Sequence, residues 1–321
     1  MAPATSRKRK YPHEDDNSVN GAVVAPPTSI VNGPPAEDAV IYRSPGLVPD
    51  ARLKVFDREF HVHSVPLGNE QKISAFEDYQ FEREAFQDLL SAIYNRPYTI
   101  HHLEQLKKIV SLADFYCALP ILSSTIINGL ISSDMYESAT AGDNTPSDFA
   151  FAAPDLIHAA YKLRHPILFR ECLIHVVGQW QSITDEQMRN LEENIAIYRL
   201  IVREVTYNCR MIMEASQKVM RLLSERCPIQ IGREDYPGSG IDNPELLRAV
   251  HTGLLKLENP KERHQNIIEV LKADIKGLLT NNLFLDRSGF AAGEDGPHRF
   301  YFLCAYISDE EMPWDAESID W

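Results

Sequence analysis

Apolar residues in the stretch 52–63 are spaced as in a pair of β-strands that bury one face. The apolar positions are Leu53, Val55, Phe56, Phe60 and Val62, with Asp57 and Arg58 at a polar corner and His61 and His63 on the other face of the second strand. This pattern predicts a two-stranded hairpin. Directly behind it, Pro66 and Gly68 exclude a long helix.

Helical spacing replaces the two-residue period from Phe86 onwards. The first apolar face contains Phe86, Leu89, Leu90, Ile93 and Tyr94, and the next contains Leu103, Leu106, Val110, Ala113 and Cys117. Asn95 suits the left-handed end of the first helix, and Pro97 prevents its continuation. Pro120 interrupts the second stripe, and we expect a further helix that ends near Ile131.

Residues 154–225 have a helical pattern throughout. Pro154 and Pro166 are predicted at helix starts, and Thr184 with Gln187 has the spacing of a capping box. Behind the box, residues recur in alternating steps of four and three as a heptad seam, made of Leu191, Ile195, Tyr198, Val202, Val205, Cys209, Ile212, Ser216, Val219 and Leu223. A second apolar row beside the seam widens the arc. We therefore expect an intrachain bundle with this helix at its centre, with Val205 fully buried, rather than a homodimeric coiled coil.

The last part of the chain changes character. Asn243 with Pro244, and then Pro260, predict two more helices, the second ending near Leu279. The segments "NNLFLD" and "RFYFLCAYIS" predict two strands joined by a turn-rich segment. The expected fold is therefore α+β and mostly helical, with a small α/β unit, an all-helical bundle and a C-terminal β-hairpin.

Composition divides the chain further. Residues 1–48 are rich in proline and poor in aromatic residues, which predicts a disordered N-terminal arm. The small α/β unit spans 51–135, and the small, polar stretch 138–153 is a linker or long loop. The helical domain with its C-terminal strands spans 154–307, and an acidic tail spans 308–321.

Charge restricts the partners that the chain can bind. The 321 residues carry a formal net charge of −14, and no basic helix or zinc-finger spacing is present, so direct nucleic-acid binding is not expected. No apolar run approaches the length of a membrane span, so no membrane helix is expected. A small basic block, made of Arg7, Lys8, Arg9 and Lys10, is a nuclear-import candidate, which places the protein in the nucleus, the cytoplasm or both.

The sequence shows no clear catalytic constellation. His61 and His63 have a spacing that can bind a metal, but no third ligand accompanies them, so a half-buried hairpin face is the preferred interpretation. We expect no catalytic site, no metal and no cofactor. In the acidic tail, Trp314 and Trp321 form a candidate docking motif; the alternative is that Trp314 packs against its own domain.

The order of elements resembles the BTB/POZ domain, and most closely the BTB-domain proteins that are abundant in filamentous fungi. The matching pieces are "RLKVFDREFHVHS", "FQDLLSAIYNRPYTI" and "LADFYCALPIL", and "NNLFLDRSGF" with "YFLCAYISDEEMPWD" is similar to the closing segment of those fungal proteins. The resemblance implies a BTB core that contains Leu53, Val55, Phe60, Val62, Phe86, Leu89, Leu90, Tyr94, Ala113 and Tyr116.

One departure from the family stands out. In the family, further helices and a strand precede the helix that begins here near Phe86, and the first of those helices lies in the dimer interface. Only 22 residues, Ser64 to Ala85, are available for them in this chain. The BTB unit is therefore incomplete, because the chain is either a shortened variant or a gene model with a lost exon. Dimerisation of the BTB type is therefore not predicted for this chain.

The resemblance implies a non-catalytic adaptor or scaffold that binds other proteins. Cullins and transcriptional regulators are the partner classes that it suggests. A substrate adaptor of a cullin-linked ubiquitin ligase is a narrower alternative, although no substrate-binding repeat is visible. An enzyme with an unrecognised site in the helical domain is the alternative of another class.

Overall fold

A computed structural model describes residues 40–42, 51–55, 58–62, 79–131, 133, 135, 147–225, 243–257, 262–286 and 289–315. It begins with a small sheet of β1 (Val40–Ile41), β2 (Ala51–Val55) and β3 (Arg58–Val62) in the order β1-β3-β2. The pair β2–β3 is antiparallel, which confirms the hairpin, and β1 adds to it in parallel.

The position of β1 corrects the predicted disordered arm 1–48. Tyr42, which follows β1, is buried and donates a hydrogen bond of 2.9 Å from its hydroxyl to the carbonyl of Gln87. A parallel strand of two residues has no periodic pattern of its own and depends on a distant partner, so local composition did not indicate it. Residues 1–39 and 43–50 lie outside the described part of the chain.

Helices form most of the described chain, which confirms the mostly helical α+β class. They are α1 (Tyr79–Ile93), α2 (Leu103–Phe115), α3 (Leu119–Ile131), α4 (Asp148–Lys162), α5 (Pro166–Gly178), α6 (Asp185–Glu193), α7 (Ile195–Ser224), α8 (Pro244–Leu255) and α9 (Glu262–Leu278). Two short 3-10 turns occupy Trp180–Ser182 and Asp309–Glu311. Among the described residues, no helix is both long enough and apolar enough to cross a membrane.

The sheet and α1–α3 bury most of the predicted BTB core positions. Phe60, Val62, Phe86, Leu89, Leu90 and Ala113 are buried, and Tyr94 and Tyr116 pack against the same core while partly exposed. The side chains of Leu53 and Val55 lie outside the described set, although their backbone forms β2. Asn95 has a φ of 51°, which confirms the left-handed end of α1.

Helix α4 begins earlier than the sequence indicated. Ser147 caps it by accepting a hydrogen bond of 3.2 Å from the amide of Ala150, so the end of the predicted linker 138–153 is helical and Pro154 lies inside the helix. Because Pro154 has no N–H, the carbonyl of Ala150 loses its helical donor. The side-chain amide of Gln179 donates to that carbonyl at 3.3 Å, a compensation that comes from another element.

The long helical segment is divided at Asn194. The capping box of Thr184 and Gln187 is present at the start of α6, as predicted. Asn194 then caps α7 by accepting hydrogen bonds from the amides of Ala196 and Ile197, at 3.1 and 3.3 Å. Helix α7 runs for 30 residues without interruption, about 45 Å at about 1.5 Å per residue.

The face that α7 buries differs from the predicted seam. Its buried residues are Ile197, Leu200, Ile201, Glu204, Asn208, Ala215, Val219 and Leu222. Of the predicted seam, Leu191 and Val219 are buried, Tyr198, Val202, Val205 and Ile212 are half-buried, and Ile195 is 57% exposed. The expectation that Val205 is fully buried is therefore wrong. Two polar residues, Glu204 and Asn208, lie on the face that α7 buries. The apolar pattern therefore predicted the neighbouring face, which is shifted by one residue, or about 100° around the helix.

The bundle itself lies within one chain, as expected. Helix α7 packs against α5 and α9, and α8 packs against α9. One continuous hydrophobic cluster runs from Tyr42 in the sheet region to Ile307 near the C-terminal end, and a second lies between α7, α8 and α9. The predicted units 51–135 and 154–307 thus share one core.

The predicted C-terminal β-hairpin is wrong in the described residues. Neither the segment 281–286 nor the segment 301–308 is a strand, and residues 284 and 285 lie at a bend. One backbone hydrogen bond of 3.1 Å joins Asn282 to Leu303, and the Asn282 side-chain amide donates to the carbonyls of Cys304 and Ala305. Side chains here form hydrogen bonds with backbone groups that would otherwise pair in a strand ladder. The pattern of apolar residues along the sequence cannot show this.

Candidate functional site

A groove of about 250 Å³ lies between α5 and the C-terminal segments 281–286 and 301–308. Its floor is the part of α5 that carries Leu173 and Ile174, with Arg170 at one end. Residues 281–284 form one wall, and residues 305–307 form the other. The groove is therefore lined by segments more than 100 residues apart in the sequence.

Glu171 of α5 fixes the first wall. Its side chain is fully buried, and its carboxylate accepts hydrogen bonds from three consecutive backbone amides, those of Phe284 at 2.7 Å, Leu285 at 3.1 Å and Asp286 at 3.1 Å. Burial raises the pKa of Glu171 to about 7, and the three amide donors act in the opposite direction by stabilising the charged form. A single carboxylate thus holds the turn against α5.

Further polar groups support the same turn from inside. Nε2 of His298 lies 2.6 Å from a carboxylate oxygen of Asp286, and the His298 ring lies 6.1 Å from that of His175, one helical turn after Glu171. Burial lowers the pKa of His175 to about 3, so this imidazole is neutral. Because these side chains are enclosed, they position the wall instead of meeting a ligand. In the described part of the chain, no group of His, Cys, Asp and Glu could hold a metal ion.

Arg170 and Gly178 fix the second wall. The guanidinium of Arg170 donates to the carbonyl of Ile307 at 3.0 Å and to the carboxylate of Asp309 at 2.6 Å. At the end of α5, Gly178 lets the carbonyl of Phe302 come so close that a Cβ atom on Gly178 would lie 2.3 Å from its oxygen. The position of this wall therefore depends on the guanidinium of Arg170 and on the absence of a side chain at Gly178.

Each of the two walls exposes a large aromatic side chain to solvent. Phe284 is 68% exposed and Tyr306 is 66% exposed, although the backbone of each wall is tied to α5. Three exposed acidic residues, Asp309, Glu310 and Glu311, follow the second wall directly. Asp309 and Glu311 are ion-paired with Arg170 and Arg203, at 2.6 and 2.9 Å, so the border is only weakly negative. The exposed aromatic side chains on a fixed backbone are what a bound apolar segment would contact.

The residues predicted as sites from the sequence lie elsewhere. Trp314 packs against Phe169 and Tyr161, with ring centroids 5.2 and 6.1 Å away, so it is an intrachain contact instead of a free docking residue. Trp321 and the basic block Arg7, Lys8, Arg9 and Lys10 lie outside the described residues. The BTB core positions and the α7 seam do not line the groove.

One local signal could have indicated the support of the groove. Glu171 and His175 are four residues apart within the run "PILFRECLIHVVGQW", so they share a face of a helix that is otherwise apolar. A charged group on such a face requires a buried partner. The partners, at residues 284–286, are too distant in sequence for a local pattern to identify.

A second, polar cleft of about 370 Å³ lies between α2, α4 and α6. His158 lines it together with Ser111, Asp155 and Glu193. Burial lowers the pKa of His158, and its Nε2 is buried without a hydrogen-bond partner among the described residues. The neutral ring can accept a hydrogen bond. His158, Ser111 and Asp155 line the same cleft, which can therefore bind a polar group.

Comparison of the chain with protein-family models, with curated proteins and with solved structures gave no match.

Proposed function

We propose that this chain is a non-catalytic protein–protein interaction module of the BTB/POZ type, acting as an adaptor or scaffold. The observation that carries the proposal is the groove with two exposed aromatic side chains on walls fixed to α5. The β2–β3 hairpin and the buried faces of α1 and α2 support the BTB part, because six of the ten positions that the resemblance implies are buried there: Phe60, Val62, Phe86, Leu89, Leu90 and Ala113. Cullins and transcriptional regulators are the partner classes to test.

The chemistry of the groove defines its occupant. Leu173 and Ile174 are buried, so the exposed apolar surface of the groove is that of Phe284 and Tyr306, and the bound segment presents apolar side chains to these rings. The net charge of −14 favours basic flanks on the bound segment, although Asp309 and Glu311 beside the second wall are already paired with Arg170 and Arg203.

The groove variant Phe284→Ser/Tyr306→Ser tests this function. The probe is a displayed library of peptides with apolar centres and Lys or Arg flanks, selected on the full chain. We expect the selected peptides to bind the variant roughly 10- to 100-fold more weakly, because exposed aromatic anchors contribute about 1–3 kcal/mol to such interfaces. The measurement is fluorescence anisotropy of labelled peptides.

The matched control is Phe151→Ser. Phe151 lies on α4, outside the groove, and is 68% exposed, the same fraction as Phe284. Peptides that bind the groove should bind this control with unchanged affinity. Equal affinities for the wild type and the groove variant would contradict the proposal.

Nuclear import through the basic block is a separate prediction. Four adjacent cations, Arg7 to Lys10, can enter the acidic groove of an import carrier. Replacing all four by alanine in a fluorescent fusion is expected to move the signal out of the nucleus, whereas Arg7→Lys/Arg9→Lys keeps the charge and should keep the signal. A nuclear signal that survives the alanine substitutions would rule the import role out.

A further inference from the structure

The groove beside α5 has room for an aromatic side chain in addition to its own. Phe284 and Tyr306 line it from its two walls, and each leaves more than half of its surface exposed in the described part of the chain. The groove measures about 250 Å³, and a cavity of about 150 Å³ is large enough to bind benzene. A large aromatic ring therefore fits against these two side chains.

The described part of the chain ends close to this groove. Trp314 packs on Phe169, which precedes Leu173 of the groove floor by four residues, about 6 Å along α5. Residues 316–321 follow and lie outside the described residues. Six residues span about 20 Å when extended. The segment 316–321 is therefore long enough to return from the position of Trp314 to the groove.

The composition of this segment matches the exposed surface of the groove. Its sequence, "AESIDW", contains two large apolar residues, Ile319 and Trp321. They are two residues apart, so they lie on the same side of the segment when it is extended. Tryptophan is among the residues that contribute most to binding at protein interfaces, and aromatic rings pack favourably against each other. The segment thus supplies the kind of side chain that Phe284 and Tyr306 would contact.

We propose that Trp321 occupies the groove of its own chain, so that the segment 316–321 is an autoinhibitory element that competes with partner segments. The proposal rests on the function proposed above, because both involve the same groove. The covalent connection makes this segment the occupant, since a short tether holds it at an effective concentration of about 1 mM. An interaction too weak to form between separate molecules is therefore populated within one chain.

The charge of the segment keeps this interaction weak. Glu317 and Asp320 flank its apolar residues, and Glu310 is exposed beside the second wall, so like charges approach each other when the segment docks. A partner segment with basic flanks has the opposite charge and displaces it. Because salt screens exposed charges, higher salt should strengthen docking of the segment and weaken binding of a basic partner.

The expected autoinhibition is modest and reversible. With an intrinsic dissociation constant of about 0.1–0.5 mM and an effective concentration of about 1 mM, the segment is docked for about 70–90% of the time. A partner binds only the open fraction, so its apparent affinity falls by about 3- to 10-fold.

The first test needs no partner. Fluorotryptophan replaces Trp180, Trp314 and Trp321 in the full chain, and fluorine NMR measures the access of a soluble gadolinium chelate to each indole. The Trp321 signal, assigned with Trp321→Phe, should be protected in the wild type and accessible in the groove variant Phe284→Ser/Tyr306→Ser. It should stay protected in the control Phe151→Ser, which changes an exposed ring outside the groove.

The second test measures competition. In fluorescence anisotropy, Ile319→Ser/Trp321→Ser should bind the peptides selected on the full chain about 3- to 10-fold more tightly than the wild type, because the groove is no longer occupied. Ser318→Ala changes a neighbouring polar residue of the segment and should leave the affinity unchanged.

Three results would overturn the inference. They are a Trp321 signal equally accessible in the wild type and the groove variant, protection that appears only as the protein concentration rises, and an unchanged peptide affinity in Ile319→Ser/Trp321→Ser. The second would place the segment in the groove of another copy. If Trp321 is protected by the groove but no peptide binds, the proposed function fails alone. If peptides bind and Trp321 is accessible, only the autoinhibition fails.

Discussion

Replacing Glu171 with alanine is expected to lower the free energy of unfolding by about 4 kcal/mol. The substitution removes the carboxylate that accepts hydrogen bonds from the amides of residues 284–286, and each buried donor left without a partner costs about 1–3 kcal/mol. Urea denaturation followed by circular dichroism measures the change. The same variant should lose peptide binding, because the wall that holds Phe284 is no longer tied to α5.

Two further variants serve as controls. Glu171→Gln keeps one acceptor oxygen and should lose less stability than the alanine variant. Glu192→Ala, at an exposed position of α6, should change the free energy of unfolding by about 0.5 kcal/mol or less. A loss below about 1 kcal/mol for Glu171→Ala would show that the turn is held by other contacts.

Glu171 also predicts a dependence of stability on pH. The pKa of its carboxyl is about 7 in the folded protein, above its ordinary value of 4.5. Between these values the folded state binds the proton more tightly than the unfolded state, so this group makes stability fall as pH rises from about 4.5 to about 7. The component should be missing in Glu171→Gln, which is checked by comparing denaturation midpoints across this pH range.

Gly178→Ala is expected to cost about 3 kcal/mol, although it adds a single methyl group. The new Cβ would lie 2.3 Å from the carbonyl oxygen of Phe302, so the helix end or the segment 301–308 must move apart. Overpacking of this kind typically costs about 1–3 kcal/mol, and a contact with backbone stands at the upper end because backbone cannot change rotamer. Thermal and urea unfolding measure the effect.

The chain contains a matched control for which the opposite effect, a gain in the free energy of unfolding, is expected. Gly277 lies near the end of α9, and a Cβ atom there would meet nothing within 4 Å. Gly277→Ala should therefore raise the free energy of unfolding by about 0.5–1 kcal/mol, since alanine loses less backbone entropy than glycine in a helix. If Gly178→Ala were as harmless as Gly277→Ala, the close approach of Phe302 would not be a constraint.

The features that the sequence predicted correctly are local. The capping box of Thr184 and Gln187, the cap at Asn243 and the left-handed Asn95 each depend on residues within one turn of each other. Such caps satisfy orphan amides with a nearby side chain, so a short stretch contains both partners. The β2–β3 hairpin is local for the same reason.

The features that it did not predict depend on distant partners. Glu204 and Asn208 are polar, yet they lie on the buried face of α7, and this moved the expected seam to its neighbour. Pro154 is tolerated inside α4 because Gln179 supplies a donor from beyond the end of α5. The groove cannot be predicted for a related reason, since Glu171 and residues 284–286 are more than 110 residues apart in the sequence and meet only in the tertiary structure.

The shared core has a consequence for how the chain is made. Phe169 of α5 is covered by Trp314, and Arg170 is held by residues 307 and 309, so the middle of the molecule is completed by residues near the C-terminal end of the described chain. A ribosome that has synthesised α1 to α5 has not yet released the segment that shields them. During that interval, apolar surface on α5 remains uncovered, and nascent chains are at their most prone to aggregate or to bind chaperones. Chains stalled before residue 300 should therefore associate with chaperones more strongly than completed ones.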